Sequence, residues 1–498
     1  MDYSAIIRSM LDNQASLYYI LPALIIAGTL IATLLLDCLI KSDYKPQLIT
    51  YMPIGGLCFA LYGVIKISKL PELQTGVYLF NHLLQLDSWS TLFHLLLLSL
   101  TLLLLYMVAN NSKNKVNRLY QVMLLGSLLG AYFLVMANHW LVIYTSLALM
   151  SVSSAVLIFG DSWHQSKALP SFQYLFYQAI AGAMMLWGMS YWYATTGTFS
   201  ISLETSLISF DSPFWLIGFF LSFSALLLQL GAFPFHFWIA DVYQNAPMPV
   251  VAYLATVPKL AAVAIITRIY NQAALTSHLG GMQLQNLLTL VAIITLVIGH
   301  IGALRQSQFK QILAYGSIAQ GGLLLASLVA SNGNYVAIAY YSIIYGIMSL
   351  AVWLSLQAFK FVADSEHSPD YAGLGPFFPV LSSSLCIALL ALIGLPPTAG
   401  FTGKLLILAG LWTTMQTTKN WLIAVLWLIS LLGSVLSLYY YLKLPYILFF
   451  KPRQKMDLPG SRAFAYQLIW LLLPILLIGL FFFVDRLVYV LQSGNLLH

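Results

Sequence analysis

Charge is what this sequence has least of. Asp, Glu, Lys and Arg together make up 7% of its 498 residues, against roughly a quarter in an ordinary soluble domain. Acidic residues are the scarcer kind: there are 15, and none falls in the middle of an apolar run. So little charge excludes a soluble globular enzyme. Cysteine is nearly missing as well. Cys38, Cys58 and Cys386 stand far apart, in or beside apolar runs, with no CxxC and no Cys/His cluster. Neither an iron–sulfur nor a zinc site is expected, and no flavin or nucleotide motif is present. A cleavable leader is not expected either, because residues 1–16 are mixed and polar and the first apolar run is long enough to span and stay. The net charge of +7 does not imply nucleic acid as a partner. Its basic residues sit in short loops, as the positive-inside bias requires of a membrane protein.

What the sequence has in excess is apolar length. Hydrophobic residues make up 60% of it, the mean hydropathy is +0.86, and runs of about 20 residues, enough to span a bilayer, recur from end to end. In lipid such runs satisfy their own backbone groups only as helices. The expectation is an all-α, polytopic membrane protein with about 14 transmembrane helices. The spans fall at 17–39, 48–67, 88–109, 118–137, 139–160, 171–195, 214–232, 249–270, 285–303, 309–329, 334–360, 377–394 with a continuation to 415, 421–449 and 464–491. They group as 1–117 (three N-terminal helices), 118–270 (a first five-helix repeat), 285–450 (a second) and 451–498 (a C-terminal helix). An even number of spans puts both termini on one side. Roughly thirteen Lys and Arg, among them Lys113, Lys115, Arg118, Lys451, Arg453 and Lys455, fall on the opposite face, against roughly six on the termini's own. Both termini are therefore expected on the periplasmic side of a bacterial inner membrane.

Two stretches interrupt the helical pattern: Gly231-Ala-Phe-Pro234-Phe-His236 and Gly394-Leu-Pro396-Pro397-Thr-Ala-Gly400. Proline lacks the backbone donor and clashes with the preceding turn, so both read as helix breaks. Each lies about four helices into a five-helix block, which suggests inverted repeats with discontinuous helices near mid-membrane. A kinked helix that merely packs well is the competing reading of each.

Ionisable groups inside apolar spans are expensive and mark ion paths by default. Three lysines qualify: Lys259 in Ala255-Thr-Val-Pro-Lys, Lys310 in Phe309-Lys-Gln-Ile-Leu, and Lys404 after the second break. Either they exchange protons with buried water, or they snorkel to the interface. Asp37, Asp161, Glu204, Asp211, Asp241, Asp364 and Asp370 belong to span ends or connections, so no carboxylate is expected to pair with a buried amine within this chain. His236, at the first break, either titrates beside an aqueous cavity or plugs free carbonyls there. His300 and His139 read as interface residues, and Tyr439-Tyr-Tyr441 and the Trp187–Tyr193 stretch as aromatic belts.

Several segments together resemble a known family. Pro234-Phe-His-Phe-Trp-Ile-Ala-Asp-Val-Tyr-Gln-Asn-Ala-Pro-Met-Pro-Val, followed by Ala255-Thr-Val-Pro-Lys259, is similar to the signature of the antiporter-like membrane subunits of respiratory complex I. Phe309-Lys-Gln-Ile-Leu-Ala-Tyr-Gly-Ser-Ile-Ala319, Asp370-Tyr-Ala-Gly-Leu374 and Gly394-Leu-Pro-Pro-Thr-Ala-Gly-Phe-Thr-Gly-Lys404 agree. Within that family the branch of subunit N is nearest, and the match covers about residues 118–450. The resemblance implies a proton-translocating, non-redox subunit of an NADH:quinone oxidoreductase. No cofactor is expected in this chain, while flavin, iron–sulfur clusters and quinone belong to other subunits. The implied partners are the lipid bilayer, the antiporter-like subunit M and small membrane subunits such as K and J. The family's pathway lysines correspond to Lys259, Lys310 and Lys404.

Four positions depart from the family pattern. Its helix-five glutamate is replaced by Ala148, the helix-seven lysine by Gln229, the histidine after Ser-Ser-Ile-Ala by Gln320, and a helix-six lysine by Gln173. Loss of glutamate and lysine together is coherent, because removing one of a buried pair strands a charge at about 3–5 kcal/mol. The expected pathway residues are thus Lys259, Lys404, Lys310, His236, Gln229 and Gln320, with an impaired or modified first half. Two other functions fit the residues: a subunit of a multisubunit cation/proton antiporter or membrane-bound hydrogenase, or a proton-tight structural spacer.

Overall fold

A computed structural model describes residues 3–39, 46–74, 76–111, 118–160, 165–202, 213–276, 278–330, 335–363, 368–452 and 467–493. Lys113, Lys115, Arg453, Lys455, Asp161, Glu204, Asp211 and Asp364 lie outside the described residues. The described chain is helical apart from short turns and one hairpin. The first helices are α1 (Tyr3–Leu39) and α2 (Pro46–Ile67). Strands β1 (Val77–Leu79) and β2 (Leu84–Leu86) then pair antiparallel, Val77 opposite Leu86. Next come α3 (Ser88–Asn111), α4 (Arg118–Val135), α5 (Trp140–Phe159), α6 (Gln165–Thr196), α7 (Pro213–Leu230), α8 (Phe237–Asn245) and α9 (Met248–Thr276). The remainder is α10 (His278–Arg305), α11 (Phe309–Val329), α12 (Val336–Ala363), α13 (Pro379–Ile393), α14 (Ala399–Thr418), α15 (Trp421–Phe450), α16 (Gln467–Phe482) and α17 (Val484–Ser493).

Among the described residues eight helices are long and apolar enough to cross a membrane, and a ninth crossing is possible where α16 and α17 meet at a bend of 77°. Shorter apolar stretches lie in α2, α4, α7 and α13. Both sequence interruptions are real breaks. The first separates α7 from α8, and the second separates α13 from α14. Each contains one cis bond before proline, Phe233–Pro234 and Pro396–Pro397.

The chain divides into two compact units. One comprises the described residues of 1–229 and 257–284, the other those of 230–256 and 285–493. Helix α9 contributes its first turns to the second unit and the rest to the first, and it is buried along its apolar length. In the first unit α4 and α5 pack so closely that a β-carbon at Gly130 would press on the Ser146 carbonyl and the Met150 backbone. Trp140 meets Trp192 with ring centroids 5.4 Å apart, so the Trp187–Tyr193 stretch is not a simple belt. Trp187 faces outward while Trp192 is core. In the second unit α12 packs on α13, α14 and α16.

The first unit also holds a buried ion pair, formed by a guanidinium and a carboxylate rather than by one of the buried amines. Arg268, 1% exposed on α9, donates from Nη2 to both Asp87 carboxylate oxygens at 2.8 and 2.9 Å. Its Nη1 reaches the Gln85 and Ala137 carbonyls. Asp87 caps α3 by accepting from the Ser90 N–H at 2.8 Å, and the Trp89 indole donates to the Ala264 carbonyl at 3.1 Å. Hairpin, α3 and α9 are thereby tied together. Asp87 immediately precedes the apolar run of α3, and only the fold brings it to a residue 181 positions away.

Candidate functional site

Helix α13 stops because Gly394 takes up a left-handed conformation (φ 85°), which side chains with a β-carbon resist. The chain closes the end with Gly394 N–H and Leu395 N–H donating to the Leu390 carbonyl at 2.9 and 3.1 Å. The last carbonyls of a helix have no partner within it, and they form the negative end of its dipole. Lys404, in the second turn of α14, fills that gap. Its ammonium donates to the Leu392 and Ile393 carbonyls at 2.9 and 2.8 Å. The side chain is 5% exposed, so the amine is held inside the protein by helix-end carbonyls rather than by a carboxylate.

Gln320 on α11 shares this end. Its amide donates to the Leu392 carbonyl at 3.3 Å, and its side-chain oxygen accepts from the Tyr341 hydroxyl. Tyr340, beside Tyr341 on α12, bonds the Thr402 hydroxyl at 2.6 Å. Also from α12, the Tyr345 hydroxyl donates to the Ala255 carbonyl near the start of α9 at 2.8 Å.

The same device occurs at the C-terminal end of α8, the short helix that follows the first break. Lys310, 7% exposed at the start of α11, donates at 3.3 Å to the carbonyl of Gln244 in the last turn of α8. The Gln311 amide binds the Gln244 side-chain oxygen at 2.6 Å. In the connection before α8, Phe233 N–H donates to the Thr295 hydroxyl at 3.0 Å. His236 is buried at the α8 N-terminus and lines a cleft of about 330 Å³ together with Arg305, Tyr315 and Gly302.

In the first unit Lys259 is fully buried on α9. Gln229, 1% exposed in the last turn of α7, belongs to an uncharged polar cluster. The Tyr174 hydroxyl lies near Gln229, Gln178 and Ser154. Ser151 donates to the Gln178 oxygen at 3.0 Å, and Ser127 and Ser154 bond each other at 3.0 Å. Gln178, Tyr174 and the serines went unnoticed in the sequence because uncharged polar residues in a span give no signal. Positions 148 and 229 differ in burial within this chain. Ala148 lies on the exposed face of α5 with Leu141, Thr145, Leu149 and Val152. Gln173 is only half-buried on α6.

Two further sequence expectations are corrected. His300 is no interface residue, being 5% exposed with its Nδ1 at 3.1 Å from the Tyr440 hydroxyl. In Tyr439–Tyr441 only Tyr439 faces outward, while Tyr440 and Tyr441 are buried. Apolar flanks hid their direction, since one turn of helix separates belt from core.

Residues 137–437 match the transmembrane family of NADH:quinone oxidoreductases and Mrp antiporters. Subunit N of the NADH-quinone oxidoreductase of Desulforamulus reducens is 28% identical over 92% of this chain and 94% of its own. The chloroplastic NAD(P)H-quinone oxidoreductase subunit 2 of Chaetosphaeridium globosum is 31% identical over 87% of this chain and 85% of its own. A chain of respiratory complex I from Thermus thermophilus superposes with a TM-score of 0.77 at 25% identity, covering 94% of this chain and 99% of that one.

Proposed function

This chain belongs to the membrane family shared by NADH:quinone oxidoreductases and Mrp antiporters, and on that premise we propose that it translocates protons as a non-redox subunit of a quinone oxidoreductase. Flavin, iron–sulfur clusters and quinone would be held by other subunits, among them a second antiporter-like subunit M and small membrane subunits such as K and J. The proposal includes fourteen membrane crossings, inverted repeats around the two breaks, and both termini on the periplasmic side of a bacterial membrane.

The observation that supports this reading best is the Lys404 ammonium held by two carbonyls at the end of a broken helix. A cation capped by dipoles keeps no fixed counter-ion, so the amine can lose a proton without stranding a buried carboxylate. Lys310 repeats the arrangement at the end of α8, and Gln320 ties Lys404 to the phenol of Tyr341. The first half works differently. Without a charge at 148 or 229, its polar route is the Ser127–Ser154–Tyr174–Gln229 cluster. Hydroxyls and amides orient water but do not titrate near neutral pH. That half therefore depends on Lys259 alone for a titrating group and conducts by a modified route.

The test is the proton-to-electron ratio of the assembled complex in sealed vesicles, with Lys404→Ala and Lys259→Ala. A lowered ratio with both variants is expected. An unchanged ratio in both would remove these lysines from the pathway and leave the spacer reading.

A further inference from the structure

Helix α10 carries one outward stripe. Leu290, Val297 and Ile301 are exposed and Ile294 is half-buried, and Arg305 continues the series at the last residue of the helix. Spacings of three and four put all five on one face. Met282–Arg305 is among the helices long and apolar enough to cross a membrane, and half of it is buried. From Leu290 to Ile301 the stripe runs about 17 Å, close to the roughly 15 Å of hydrocarbon in one leaflet. Arg305 stands about 6 Å further along the axis, at the depth of a headgroup when the apolar residues lie against acyl chains.

The stripe borders a hollow rather than a smooth surface. Val297, Ile301 and Arg305 line the cleft of about 330 Å³ from α10, and Phe237 and Ala240 line it from α8. Apart from Arg305, the polar side chains of the lining are Tyr315 and His236, and the His236 imidazole lies against the Phe237 ring with centroids 4.2 Å apart. The body of the cleft is thus apolar, with a guanidinium at the helix-end side. Among the described residues Arg305 has no ion pair. Lys443 of α15 donates to the Gln306 carbonyl at 3.2 Å, which brings a second ammonium to the residue next to Arg305. Asp241 is the one carboxylate on α8, α10 and α11, and it is not part of the lining.

We propose that this cleft binds one anionic phospholipid, with its phosphate on Arg305 and one acyl chain laid between α10 and α8 over Val297, Ile301 and Phe237. The guanidinium presents its donors in a fork that matches phosphate oxygens, and basic pockets between membrane helices recognise anionic headgroups in this way. Lys443 adds to the positive field at the same helix end. A headgroup with net negative charge is favoured over a zwitterionic one, because the lining offers no carboxylate to a headgroup ammonium. The site stands apart from proton transfer by the lysines and needs only that α10 borders the bilayer.

The experiment places the assembled complex in phosphatidylcholine vesicles that contain a small fraction of phosphatidylglycerol with a photoreactive diazirine on its acyl chain. The matching phosphatidylcholine probe is run in parallel, and mass spectrometry of the digested chain counts labels on the Val297–Ile301 segment. The phosphatidylglycerol probe is expected to label it at least about five-fold more, the factor one cation contributes at a membrane surface. Arg305→Gln should lower that preference about five-fold, and Arg305→Lys should retain it. Ile301→Trp fills the cleft without touching a charge and should lower phosphatidylglycerol labelling at Val297, so it decides the matter if Arg305→Gln fails to assemble. Equal labelling by the two probes in the wild type would mean ordinary boundary lipid and would overturn the inference. So would a preference that survives Arg305→Gln, or a segment left unlabelled because a neighbouring subunit covers it. Loss of label on adding soluble glycerol phosphate would overturn it too, by marking a site for the phosphate alone. None of these outcomes alters the proton-to-electron ratio, so the translocation reading stands or falls separately.

Discussion

Replacing Asp87 with alanine strands the Arg268 guanidinium in the interior of the first unit. It removes two charge-assisted bonds of 2.8 and 2.9 Å and the cap on the Ser90 N–H. The bonds from Arg268 Nη1 to the Gln85 and Ala137 carbonyls remain, at 3.3 and 3.4 Å, and neutralise none of the charge. Breaking one side of a buried pair costs about 3–5 kcal/mol, and losing an N-cap adds about 1 kcal/mol. The expected destabilisation is therefore about 4–6 kcal/mol for Asp87→Ala. Arg268→Met should cost about 3–5 kcal/mol, since it leaves the carboxylate unpaired. The combined Asp87→Ala/Arg268→Met chain removes both charges and should cost no more than about 2–3 kcal/mol, because replacing a whole buried pair is often near neutral. Equilibrium unfolding in detergent–SDS mixtures reads all three. A coupling energy of about 3 kcal/mol or more is expected from the cycle. Additivity to within about 0.5 kcal/mol, the range of independent sites, would show that the two charges do not sense each other and would refute the reasoning.

Gly394→Ala should destabilise by about 1–2 kcal/mol, the cost of forcing a β-carbon into the left-handed region, and should also disturb Lys404, whose side chain lies against that glycine; thermal unfolding and the proton-to-electron ratio check the two effects. Tyr174→Phe deletes a buried hydroxyl near Gln229, Gln178 and Ser154 and should cost no more than about 1 kcal/mol, the net worth of an ordinary hydrogen bond, read by the same unfolding assay. Lys310→Met should cost about 0.3–1 kcal/mol, as expected for a cation at a helix C-terminus. A loss of several kcal/mol there would mean that the ammonium does more than cap α8.

The composition and the apolar runs announced a helical membrane protein, and the two proline breaks were visible because proline and glycine act locally. Lys404 could be found by its placement in an apolar span, and the resemblance of Gly394–Lys404 to the family motif pointed the same way. Its partners could not be found, because a lysine that bonds main-chain carbonyls leaves no mark in any partner's side chain. Arg268–Asp87 was missed for a related reason. The carboxylate sits one residue outside its helix and pairs across 181 positions of sequence. His300, Tyr440 and Tyr441 were assigned to the interface because aromatic and imidazole groups near span ends usually lie there. Which way they point depends on Gly433 and Gly316 on neighbouring helices, and single-sequence periodicity carries no such information.

The central claim is that buried amines serve a hydrated proton path, and a density map of the assembled complex that resolves ordered water tests it most directly. The account predicts water within hydrogen-bond distance of the ammonium groups of Lys404 and Lys259, with further waters along the polar side chains of each unit. Dry apolar packing around both amines, or both ammonium groups drawn out to lipid headgroups, would contradict it.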